Sequence, residues 1–132
     1  GVRGLTNRAS IERIARRLGF EFVDPTGLSF PEQVRLIHGA SIVSGVGGAG
    51  FANLLFCRPG AQVIGLVSRQ LADFSMQAHL AHIAGAHFTY VTGSSPARAE
   101  DTQHYREHFH ADFHVRALTY RRVLKRAATR LA

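Results

Sequence analysis

The residues best suited to chemistry are the glycines of Gly45-Val46-Gly47-Gly48-Ala49-Gly50, which fit the spacing G-x-G-x-x-G between an apolar strand-like stretch and a helix-like one. Glycine tolerates positive φ and lets backbone N–H groups approach an anion, and a helix beginning near Ala49 would add its positive dipole end. The chemistry expected of Gly45, Gly47, Gly48, Ala49 and Gly50 is therefore the holding of phosphate. A glycine turn with a purely structural role has the same spacing. A dinucleotide-binding domain is a rival, but there the glycine turn follows the first strand and an acidic residue answers about 20 positions later. Here the answering strand ends at Val67-Ser68-Arg69, without an acid, and only Arg69 would be left to meet the 2′-phosphate of NADP.

Other candidate groups are sparser. Asn53, on the short helix after the turn, can reach back toward a ligand or bond nearby backbone. Gln33 lies where ligand contact and a solvated face look alike, and Asn7 also reads as a helix cap. His104, His108, His110 and His114 are close together, and His79 and His82 can share a helix face. They lack the regularly spaced carboxylates or thiols of a metal site, so titrating or solvated histidines are expected and no metal. Cys57, the lone cysteine, reads as a small apolar filler rather than a nucleophile.

These groups need a scaffold, and 132 residues with 45% hydrophobic content suit one globular domain. No apolar run is long enough to span a membrane and no signal peptide is visible. The start at Gly1, without methionine, reads as a piece of something longer. The formal charge of +7 reflects 16 basic against 9 acidic residues, and every basic residue except Lys125 is arginine. Arg13, Arg16 and Arg17 cluster near one end, and Arg121, Arg122, Lys125, Arg126 and Arg130 near the other. Each cluster falls on the polar side of an expected helix, as a solvated face would. Aromatics do not interleave with them, so no nucleic-acid partner is expected, while peripheral contact with an anionic membrane stays open.

The apolar periodicity predicts helices over residues 10–18, 31–38, 51–56, 72–84 and 116–131, and strands over 20–23, 40–44, 62–67 and 86–91. Ser29 and Glu32 form a capping-box pattern, with Val34 and Ile37 inward, and Arg58-Pro59-Gly60 breaks the third helix-like stretch from the next strand. The final helix carries Leu118, Val123, Leu124, Ala127, Ala128 and Leu131 at helical spacing. Residues 92–107 read as a long polar loop. The alternation predicts an α/β fold with a mostly parallel sheet and helices on both faces.

Around the glycine turn the match extends further. Gly19-Phe20, Leu28-Ser29-Phe30, Glu32-Gln33-Val34, Ala40, Gly45, Gly48-Ala49-Gly50, Asn53-Leu54, Phe56, Pro59-Gly60 and Val63-Ile64 resemble the C-terminal domain of family 61 glycosyltransferases. Their run there is written G-F, L-S-F-x-E-Q, A, G-x-H-G-A-G-L-x-N-L-x-F, P-G, V-I-E-L. Asp112-Phe113-His114-Val115 is similar to a later D-F-x-V. The resemblance implies the Rossmann-like second half of a two-domain GT-B enzyme. That half would hold a nucleotide-sugar donor, while an N-terminal half, missing here, brings the glycan or glycoprotein acceptor. It also implies transfer with inversion, without metal or cofactor, in polysaccharide synthesis such as capsule formation, on the cytoplasmic side and at the inner face of the membrane. Gly45, Gly47, Gly48, Ala49, Gly50, Asn53, Gln33, Arg3 and Asn7 are the donor-binding positions so implied. The backbone N–H groups of Gly48 and Ala49, with an arginine such as Arg3, would stabilise the leaving pyrophosphate.

Three positions depart from the pattern. Gly47 stands where the family has histidine, Arg8 where Asn7-Arg8 would be Asn-Glu, and Gly65 where V-I-E-L has glutamate. A hydrogen cannot move a proton or bind a ribose. Either the donor is bound mainly through backbone, or the domain is a binding or scaffold module that kept the fold and lost the chemistry. This chain by itself is not expected to turn over.

Overall fold

A computed structural model describes residues 4–47, 49–69, 75–94 and 112–131. The elements run α1 (Arg8–Arg17), a 3₁₀ turn (Pro25–Gly27), α2 (Phe30–Gly39), β1 (Ile42–Val46), a 3₁₀ helix (Ala49–Phe56), β2 (Gln62–Ser68), α3 (Met76–Ile83), β3 (His87–Gly93) and α4 (Ala117–Leu131).

The three strands form one all-parallel sheet in the order β1-β2-β3, with Ile42 opposite Gln62 and Gln62 opposite His87. Parallel pairing requires crossovers and buries both faces, so β2, the central strand, is buried at every residue. Alternation sends Ile64, Leu66 and Val91 to one side, where they pack with Ile11 of α1 and with Tyr120, Leu124 and Ala127 of α4. Val63 faces the other side with Phe51, Leu54, Cys57 and Ala81; Ile37 and Phe88 pack against that cluster. The fold is thus a Rossmann-like α/β sandwich: α1 and α4 form one outer layer, and α2, the 3₁₀ helix and α3 form the other.

Local signals explain most element ends. In α2 the capping box is complete, with Ser29 Oγ accepting from the Glu32 N–H and the Glu32 carboxylate accepting from the Ser29 N–H at 2.7 Å. At the end of α1, Gly19 takes φ +91°, the Gly19 N–H bonds to the Arg16 carbonyl and the Phe20 N–H to that of Ala15. This is the Schellman arrangement, and it corrects the strand expected over residues 20–23. The Phe20 amide is consumed by the cap, and beyond it Phe22 and Val23 are exposed and form no strand. The same device closes α3: Gly85 has φ +81°, the Ala86 N–H bonds to the Ala81 carbonyl, and β3 therefore starts at His87 rather than at residue 86.

Other boundaries move by one or two residues. Ala40 caps α2, so β1 is shifted forward and absorbs Gly45 and Val46 from the predicted turn. The helix after the turn is 3₁₀ rather than α. The final helix buries Tyr120, Leu124 and Ala127 and leaves Leu118 and Leu131 exposed. The first residues of the helix predicted over 72–84, and most of the loop predicted over 92–107, lie outside the described residues.

The segments that lead into α1 and α4 meet beside β3. The Thr6 N–H bonds to the Phe113 carbonyl at 2.8 Å, the Phe113 N–H to the Gly4 carbonyl, and His114 exchanges backbone bonds with Ser94. The Asn7 amide closes this arrangement, its Nδ2 donating to the Val115 carbonyl at 2.6 Å and its Oδ1 accepting from the Val115 N–H at 3.3 Å. Asn7 sits at the N-cap position of α1, but its side chain makes no cap bond there.

Candidate functional site at the carboxyl edge of the sheet

In open parallel sheets a ligand crevice forms beyond the carboxyl ends of the strands. Here those ends present Val46-Gly47 after β1, Ser68 at the end of β2 and Gly93 at the end of β3. Gly47 is buried, and its N–H bonds to the Leu66 carbonyl at 2.9 Å, so that amide continues the ladder. A Cβ on Gly47 would lie 2.8 Å from Val67 Cγ1 and 3.1 Å from Gln77 Oε1. Glycine is therefore required there by close packing. Gly45 lies within β1 opposite Gly65, and a Cβ on it would make only ordinary contact with Phe51.

Two polar groups at this edge have no counterpart in the sequence-based candidates. Gln77, in the first turn of α3, is buried with its amide beside Gly47. Ser68 is 1% exposed, and its Oγ has no hydrogen-bond partner among the described residues. A buried hydroxyl without a partner costs free energy, so it marks a place where a further group belongs. The signal in the sequence was slight: a polar residue ending an otherwise apolar strand.

A cavity of about 110 Å³ opens on the α1–α4 side of β1. Ser44, Gly45 and Val46 form its wall, the Tyr120 side chain joins them, and Arg8, Arg16 and Phe22 line its mouth. Ser44 Oγ and Tyr120 Oη hydrogen-bond to each other at 2.7 Å. Burial raises the Tyr120 phenol above its ordinary value, and the bond to Ser44 only partly offsets this, so the phenol stays protonated and able to donate. The Arg8 and Arg16 guanidinium carbons lie 6.0 and 5.9 Å from the centre of the Phe22 ring, within cation–π range. Arg8 also pairs with Glu12 at 3.1 Å, an exposed i,i+4 bridge of small energetic weight.

The candidates from the sequence fall in separate places. Asn53 and Gln33 come together: Asn53 Nδ2 donates to Gln33 Oε1 at 2.8 Å, and Gln33 Nε2 donates to the carbonyls of Pro25 and Leu28. The pair thus binds the 3₁₀ helix to α2 and to the turn before it. Asn7 is engaged with Val115, away from both. Ala49 begins the 3₁₀ helix and Gly50 follows, whereas Arg3 and Gly48 lie outside the described residues. So do His104, His108 and His110; His114 is exposed, and no group of three metal-ligating side chains occurs among the described residues. Cys57 is buried and its thiol pKa is raised by desolvation, which suits an inert filler.

The family model described as Glycosyltransferase 61 matches residues 1–64. This part of the chain is similar to family 61 glycosyltransferases. The match runs through α1, α2, β1, the 3₁₀ helix and into β2, so it contains the glycine turn and the Gln33–Asn53 pair, and it supports a glycosyltransferase function. No curated protein matches the chain. Within the matched residues α1 and β1 supply most of the cavity lining, whereas Leu66 and Tyr120 of that lining, together with Ser68 and Gln77, lie outside the match. No described helix is long and apolar enough to cross a membrane.

At Gly65 the α2–α3 layer leaves no room for a side chain. A Cβ there would lie 2.7 Å from Phe88 Cζ and 3.4 Å from Phe51. Those two rings meet edge to face, with centroids 6.3 Å apart, and occupy the space that a longer residue would need.

Proposed function

We propose that this chain is the donor-binding half of an inverting GT-B glycosyltransferase and holds a nucleoside-diphosphate sugar at the carboxyl edge of its sheet. The observation that carries this reading is Ser68, a buried hydroxyl at a strand end without a partner among the described residues, beside a close-packed glycine backbone and in a chain whose residues 1–64 match the family 61 model. The diphosphate would lie against the turn from Gly47 to Gly50 and the start of the 3₁₀ helix, and the Ser68 hydroxyl and the Gln77 amide would hydrogen-bond to it. Arg8 and Arg16, at the mouth of the neighbouring cavity, would supply positive potential, and Arg3 precedes them in the chain. In the reaction an acceptor hydroxyl forms a bond to the anomeric carbon, the bond from that carbon to the diphosphate oxygen breaks, and the diphosphate leaves with the electron pair. The acceptor and the group that takes its proton would come from the other half of the enzyme. The donor is a substrate, so neither metal nor cofactor is part of this reading.

Calorimetric titration with UDP, UDP-sugars, GDP-sugars and NADP tests it. Saturable binding of a nucleoside diphosphate is expected, weakened about ten-fold by Ser68→Ala through loss of one hydrogen bond to a charged group. That substitution is expected to leave the fold intact, because the hydroxyl it removes has no partner among the described residues. Binding of NADP alone would overturn the proposal.

One observation favours a second reading, a binding module without turnover. Packing closes the two positions at which the family pattern carries histidine and glutamate, Gly47 by Val67 and Gln77, and Gly65 by Phe88 and Phe51. If no nucleotide binds, this reading gains.

A further inference from the structure

The two arginine clusters lie near opposite ends of the chain, and the fold joins them. Helices α1 and α4 pack against each other over one face of the sheet, both buried through the same core. The outward side of α1 carries Arg13, Arg16 and Arg17, all exposed. That of α4 carries Arg121, Arg122, Lys125, Arg126 and Arg130, also exposed. The two helices together hold a single acid, Glu12, and it is already paired with Arg8. The helices of the opposite layer carry only Glu32 and Arg35 as charged residues. Among the described helices the positive charge is therefore concentrated on one outer layer, and tertiary packing concentrated it.

Apolar groups border this layer. Leu118, one turn before Arg121 and Arg122, is 67% exposed, and Phe22, beside Arg8 and Arg16, is 52% exposed. Exposed leucine and phenylalanine among arginines suit the interface of an anionic bilayer, where the cations meet lipid headgroups and the apolar side chains enter the acyl boundary. Nucleic acid would call for several aromatic platforms among the cations; α4 has none on its exposed side, and Phe22 is the one exposed ring beside α1 among the described residues.

We propose that the outer face of the α1–α4 layer docks on an anionic lipid membrane. The test is co-sedimentation of the whole chain with vesicles of phosphatidylcholine alone or mixed with phosphatidylglycerol. Binding is expected only to the mixed vesicles and is expected to weaken as salt rises. Since each cation near such a surface contributes roughly a five-fold factor, Arg121→Glu with Arg122→Glu should weaken binding by about a hundred-fold or more. Arg35→Glu with Arg69→Glu changes net charge equally, away from this face, and should weaken it far less. All four side chains are exposed, and circular dichroism of each variant confirms that it is folded. Equal binding to uncharged vesicles, equal loss in both variants, or retention of RNA or acidic polysaccharide with no vesicle binding would each overturn the proposal.

Discussion

The two faces of the sheet are packed by different means. On the α2–α3 side, Phe51 and Phe88 close over Gly65, Val67 and Gln77 close over Gly47, and the outer helices carry almost no net charge. On the α1–α4 side, aliphatic residues surround a Ser44–Tyr120 hydroxyl pair, a cavity remains beside β1, and the outer helices are strongly cationic. The two faces thus differ in how the space beside the sheet is filled. Where a neighbour can fill the space, the position becomes core; where it cannot, polar groups and a cavity persist.

The largest expected effect comes from forcing the closed face open. Gly65→Glu would drive a carboxylate into the Phe51–Phe88 contact without a partner and should cost about 3–5 kcal/mol, measured by urea denaturation. Stability within 1 kcal/mol of the parent, roughly the scale of a surface change, would refute the aromatic closure. Next, Leu54→Ala and Leu124→Ala remove fully buried side chains from opposite faces. Each should cost about 2–5 kcal/mol, and similar losses would show that the two cores contribute comparably. A much smaller loss for Leu124→Ala would mean that α4 is only loosely held.

Asn7→Ala removes both bonds to Val115 and leaves that backbone partly unpaired, an expected loss of about 1–3 kcal/mol. The difference should appear as faster amide exchange in residues 112–115. Smallest is Tyr120→Phe, expected to cost about 1 kcal/mol near neutral pH through loss of the Ser44 bond. Its pH dependence is more informative. Burial raises the Tyr120 pKa above 10.0, so the folded state holds the proton more tightly than the unfolded state. That stability is complete below about pH 10 and is lost as pH rises through the folded value. Tyr120→Phe should therefore make the alkaline fall in stability shallower. Tyr90, on the opposite face and also raised by burial, should contribute a residual slope.

Much of the fold was legible because its signals are local. The Ser29–Glu32 box opens α2 by its own geometry, β2 reads as an apolar run because both faces of a central parallel strand are buried, and the arginine-rich helices show their period directly. The failed strand over residues 20–23 has an equally physical cause. Phe20 is apolar because a Schellman cap places it against the core, and an apolar run of four residues has the same composition whether it pairs or caps. The site was less legible. Gln33 and Asn53 stood out as polar residues beside the turn, yet nothing local shows that they bond to each other across 20 positions. Ser68 and Gln77 acquire their meaning only from burial, which is a property of the folded chain.

The sequence by itself therefore determined the alternation of helix and strand, the parallel α/β class, the glycine turn and the family 61 resemblance, because periodicity, capping and motif spacing are written along the chain. Tertiary structure alone decided that Gly47 and Gly65 are sealed by neighbours and that Ser68 is buried without a partner among the described residues. It also decided that Asn7 binds Val115 and that two distant arginine clusters share one face. Each depends on which residues meet across the sheet, and that is set by packing rather than by order in sequence.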